Sequence, residues 1–138
     1  MAAMNKDDIV IQPKQLPALT LAYIGDAVYE LWVRKHLIHQ GCVRVNALHH
    51  QAIKYVNAAA QSELMGLLEP ILDDQELRIF KKGRNAKSGR QPKNMDMIDY
   101  RRATGLEALV GYLYLLNKQE KLEQIFTILV EMVEKPGT

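Results

Sequence analysis

Two acidic residues sit in the most apolar parts of the chain. The stretch YIGDAVYELW at 23–32 places Asp26 directly after a glycine, and TGLEALVGYLY at 104–114 places Glu107 among leucine, alanine and glycine. From Leu19 to Val33 the charged residues are Asp26 and Glu30, one helical turn apart and therefore on one face. Between Arg102 and Lys118, Glu107 alone is charged. A carboxylate among apolar side chains must be paired, hydrogen-bonded or metal-bound to offset its lost hydration. Hard divalent cations such as Mg²⁺ take oxygen ligands of this kind. Phosphodiester hydrolysis uses such a site to activate water and to neutralise charge developing on the phosphate. Spacing leaves two readings open: metal ligands, or acids that cap a helix or pair with Arg101 or Arg102.

The elements that must position these residues read as helices throughout. Pro17 suits a first turn, and the apolar pattern runs to about His39, before Gln40-Gly41. A second helix is expected from Asn46 to about Leu68, where Pro70 breaks it, and a shorter one follows Asp73-Asp74 to Gly83. A very apolar helix resumes from about Asp99 to Leu116. The last, Lys118 to Glu134, repeats Leu122, Ile125, Phe126, Leu129, Val130 and Val133 at three- and four-residue steps. No segment alternates with period two, so the expected fold is all-α, one domain over 1–138 with a tail of about twelve residues. The 19–33 helix, apolar all round, is expected to be buried on every face. Ala22 and Gly25 on it, and Ala103, Thr104, Ala108 and Gly111 around Glu107, would let two helix axes approach closely.

Charge is unevenly distributed. Net charge is +2, yet residues 81–93, KKGRNAKSGRQPK, carry Lys81, Lys82, Arg84, Lys87, Arg90 and Lys93 with no acid. Of 18 basic and 16 acidic residues, the rest of the chain holds 12 and 16, so one loop at about 81–95 is strongly basic on a mildly acidic protein. Such a loop predicts phosphate contacts whose affinity falls with salt and which position a nucleic acid without reading bases. Cys42 is the single cysteine, which excludes an internal disulfide and fits a reducing compartment. MAAMNKDD at the start has no apolar run behind a basic segment, and the longest apolar run, ALVGYLYLL at 108–116, is short for a bilayer, so a cytoplasmic protein without a membrane partner is expected. His36 and His39 read as solvent-exposed polar residues, with no further ligand evident.

The two acidic segments carry a resemblance. LAYIGDAVYE at 21–30 resembles the signature motif of ribonuclease III, and TGLEALVGYLYL at 104–115 resembles that family's second motif, in the same order and roughly eighty residues apart. The whole length is similar to the short bacterial branch, Mini-ribonuclease III, which lacks the C-terminal double-stranded-RNA-binding domain. The resemblance implies a ribonuclease III-like helical bundle with Asp26 and Glu107 as catalytic Mg²⁺ ligands. Ala22 and Thr104 stand where longer family members have acids, so Glu30, Asp96, Asp99 and Thr104 itself are the auxiliary candidates. It further implies double-stranded RNA as substrate, 5′-phosphate and 3′-hydroxyl products with short 3′ overhangs, and maturation of the 23S ribosomal RNA precursor. Cutting both strands needs two sites, so a two-fold homodimer pairing through the 19–33 helix is expected, with Tyr23, Tyr29 and Trp32 serving core and partner. Two other readings compete: a ribosome-associated RNA-binding module of the same fold without catalysis, and a helical protein-interaction domain with an incidental basic loop.

Overall fold

The computed structural model describes residues 12–87 and 96–135. Six α-helices account for the architecture: α1 (Ala18–His39), α2 (Val45–Val56), α3 (Ala58–Leu68), α4 (Asp74–Asn85), α5 (Met97–Leu115) and α6 (Gln119–Val133), with no strand among the described residues. The helix buried on every side is α5, not α1. From Ala103 through Leu113 its residues are almost continuously buried, because α1, α3, α4 and α6 all pack on it.

Glycines set how closely two of those neighbours approach. A Cβ at Gly25 would collide with the Glu107 carbonyl of α5, and one at Gly111 with the Leu21 carbonyl of α1. The two helices therefore cross backbone to backbone, as their small residues predict. Gly83 plays the same part between α4 and α5: a Cβ there would lie 2.8 Å from Gly105 Cα. It is a contact residue and not the expected stop, and α4 continues to Asn85. Lys81, Lys82 and Arg84 consequently stand on the last turns of a helix and not in a loop.

α1 keeps one apolar face open to solvent. Leu21, Gly25, Tyr29, Val33 and Leu37 face the core, whereas Tyr23 is 84% exposed, Leu31 61% and Ile38 53%. The expectation of burial on every face fails for the single chain, since α1 lies at the edge of the bundle and α5 covers only one side. Trp32 turns inward, stacked between Phe126 (4.6 Å between ring centroids) and His36 (5.3 Å).

The expected second helix is two helices. Asn57 breaks it with extended backbone, its carboxamide oxygen capping Ala60 N–H (2.8 Å) while its amide donates to the Ile53 carbonyl (2.8 Å). One side chain thus serves the ends of both α2 and α3. Asp73 and Glu76 form a capping box at α4, and Asp96 caps α5 by accepting from Ile98 and Asp99 N–H.

Candidate active site

Where α1 and α5 cross, Asp26 meets Glu107. Asp26 follows Gly25, the residue whose missing side chain allows the contact, and Glu107 supplies the carbonyl that Gly25 touches. The two carboxyls share a hydrogen bond. Burial, then the charge and hydrogen bond of Asp26, and more weakly the charge of Glu30, push the Glu107 carboxyl up to about 8. One opposing influence comes from α3: Gln61 Nε2 lies 3.5 Å from Glu107 Oε2 and favours the ionised form.

The alternatives to metal binding lose their partners here. Asp26 lies in the middle of α1 and caps no helix end. Arg102 directs its guanidinium away, to Ser62 Oγ (2.9 Å), the Ser62 carbonyl (3.1 Å) and Glu69 (3.2 Å). Among the described residues neither Asp26 nor Glu107 takes part in a salt bridge. Two hard oxygen donors, held together and repelling each other, fit a divalent cation, which would relieve that repulsion. Asp26 is nevertheless exposed and Glu107 half-buried, so this is a carboxylate pair at the rim of a crossing and not one sealed in the core.

The auxiliary residues contribute unevenly. Glu30 lies close enough to act on Glu107 electrostatically but is held 3.1 Å from Arg34. Asp96 is engaged as the cap of α5, with Asp99 in that helix's first turn. Thr104 donates its hydroxyl to the Tyr100 carbonyl (3.0 Å), and Ala22 is buried in the core. No group of three or more His, Cys, Asp or Glu side chains that could hold a metal forms among the described residues.

With this geometry established, the relatives are informative. A ribonuclease III domain model matches residues 19–118. Over 131 residues the chain is 47% identical to a Mini-ribonuclease 3 of Brevibacillus brevis, covering 95% of this chain and 98% of that protein. The chain belongs to the Mini-ribonuclease 3 branch of the ribonuclease III family. A Symbiobacterium thermophilum Mini-ribonuclease 3 is 46% identical over 123 residues, covering 89% and 95% of the two chains. A crystal structure from Fusobacterium nucleatum superposes with a TM-score of 0.76 at 32% identity, covering 83% of this chain and 93% of that one. Membership in the ribonuclease III family makes the chain an endoribonuclease.

A basic cleft of ≈ 360 Å³ opens where the end of α4 meets the start of α5. Arg84, Lys87 and Arg101 line it together with Asn85, Tyr100 and Thr104, and Thr104 lies one turn before Glu107 on α5. Of the six basic residues singled out in 81–93, Lys81 and Lys82 are exposed on α4, and Arg84 and Lys87 face this cleft. Arg90 and Lys93 fall outside the described residues. Arg101, which the sequence offered as a partner for the acidic residues, instead lines this cleft, and its lying beyond the basic run hid it as a phosphate contact. Gln61 escaped the sequence reading, although a glutamine within the Gln61, Leu64, Met65, Leu68 stripe was a legible signal.

Proposed function

We propose that this endoribonuclease uses Mg²⁺ at Asp26 and Glu107 to cleave double-stranded RNA as a homodimer in the cytoplasm, maturing the 23S ribosomal RNA precursor. The meeting of Asp26 with Glu107 across the Gly25–Gly111 crossing is the observation that carries the reading. Bound there, Mg²⁺ would activate water and neutralise charge on the scissile phosphate. The chain's own residues do the rest. Asp26 and Glu107 would hold the cation, with oxygen donors of the kind Mg²⁺ takes. Arg84, Lys87 and Arg101 draw the RNA backbone toward the Thr104 flank of α5.

A-form RNA presents a shallow minor groove edged with 2′-hydroxyls, so recognition rests on duplex shape. The exposed stripe of Tyr23, Leu31 and Ile38 on α1, beside Val45 and Ile53 on α2, supports pairing with a second chain. Two sites then face the two strands of the duplex. The 23S substrate rests on whole-chain resemblance to the Mini-ribonuclease III branch.

Duplex RNA incubated with Mg²⁺ should be cut to 5′-phosphate products, and EDTA should stop the reaction. The Asp26→Asn variant should bind RNA as the native chain does and fail to cut it. Binding with identical gels in Mg²⁺ and EDTA would instead favour the non-catalytic RNA-binding module.

A further inference from the structure

Gln61 is 3% exposed, on the face of α3 that meets α5. A leucine there would continue the stripe of Leu64, Met65 and Leu68 without the cost of desolvating an amide. The amide nitrogen finds Glu107 Oε2 at 3.5 Å, the outer limit of a hydrogen bond, so the contact offsets little of that cost in the metal-free chain. Folding alone therefore gives no reason for a glutamine at this position. The carboxylate it faces does.

α3 is held rigidly where Gln61 emerges. Asn57 caps the helix and accepts the Gln61 backbone N–H through its carbonyl (3.0 Å), while the neighbouring Ser62 receives two hydrogen bonds from Arg102 of α5. The same guanidinium reaches Glu69 and lies over the Phe80 ring, 5.9 Å from its centroid. Gln61 and Ser62 thus join α3 to α5 at adjacent positions, one contact polar and structural, the other aimed at the carboxylate pair.

We propose that Gln61 is a positioning residue of the metal site: its buried amide holds Glu107 Oε2, so that the carboxylate keeps one orientation and its other lone pairs remain for the cation. The inference rests on the metal-site reading above. It assigns to a neutral side chain part of the ordering that further carboxylates would supply at the positions of Ala22 and Thr104. Partners that orient a ligating group in this way commonly change metal affinity by about 10- to 100-fold when removed.

Binding of Mn²⁺ alone, followed by electron paramagnetic resonance, tests this on the intact chain, its Gln61→Leu and Gln61→Met variants, and Glu107→Gln. Gln61→Leu should weaken Mn²⁺ binding by about tenfold or more. In EDTA its melting temperature should be no lower than that of the native chain. Its KM for duplex RNA should hold while kcat falls, and raising Mn²⁺ should restore the rate, which repair of a packing defect would not do. Gln61→Met supplies the same test should the branched side chain prevent folding. Native Mn²⁺ affinity in both Gln61 variants, with binding lost in Glu107→Gln, would overturn the positioning role and leave the metal site standing. A native chain that binds Mn²⁺ no better than Glu107→Gln would overturn both.

Discussion

Replacing Glu107 by glutamine should make the metal-free protein more stable at alkaline pH while destroying its activity. The carboxyl is pushed from an ordinary value near 4.5 up to about 8 by burial and by Asp26. A group raised on folding contributes stability that is full below its unfolded pKa and is lost as pH rises through the folded one. Between pH 6 and pH 8 the unfolded carboxyl is ionised and the folded one mostly is not, so stability falls by about 2 kcal/mol. For a domain of this size that corresponds to roughly 6–8 °C in melting temperature.

Glutamine keeps the shape and cannot ionise. Thermal denaturation in EDTA at pH 6 and pH 8 should therefore show a steeper decline for the native chain than for Glu107→Gln. At pH 8 the native chain should regain stability on adding Mg²⁺ and the variant should not. Parallel declines in EDTA would refute the geometry, because they would mean that Glu107 feels neither burial nor its neighbour.

Three further outcomes are expected. Gly25→Ala forces a methyl group into the Glu107 carbonyl, so it should destabilise the fold by about 3 kcal/mol and lower cleavage as the two carboxylates separate; a near-native melting temperature would contradict the crossing. Replacing Arg84, Lys87 and Arg101 by glutamine should weaken duplex binding and reduce the slope of log affinity against log salt by about 1 for each phosphate contact removed, whereas an unchanged slope would exclude the cleft as the RNA grip. Glu134 is pulled upward by burial but held below the usual carboxylate range by hydrogen bonds from Tyr55, His36 and Gln40. Glu134→Gln should cost about 1 kcal/mol at neutral pH, and the difference should shrink in acid as the native carboxylate is protonated; a difference that grows in acid would refute the assignment.

The His36–Glu134 contact, 2.7 Å long, shows where reading along the chain ends. Both residues are plain in the sequence, and His36 reads there as an exposed polar residue. It is instead half-buried, stacked on Trp32 and held by a carboxylate at the far end of α6. Nothing in the spacing around residue 36 encodes that partner. The same holds for Gln61, whose glutamine type was visible in an apolar stripe but whose target, 46 residues away, was not.

Local chemistry, by contrast, was largely readable. Pro17, Gly41, Asp73 and Pro70 mark helix ends because caps and breakers act on the backbone next to them. The two acidic motifs and the small residues beside them identified the residues that meet at the crossing, since a close backbone approach requires missing side chains. The break at Asn57 was missed, because no glycine or proline marks it and the one carboxamide serves both helix ends. The amino-acid order alone thus determined the all-helical class, most helix termini and the acidic and glycine positions at which two helices touch. Tertiary structure alone decided that α5 and not α1 is enclosed, that Asp26 stays open to solvent, that Gln61 reaches Glu107, and that Arg101 joins Arg84 and Lys87 in one cleft. Periodicity describes one helix's own faces, whereas exposure and partnership depend on which distant helix covers each face.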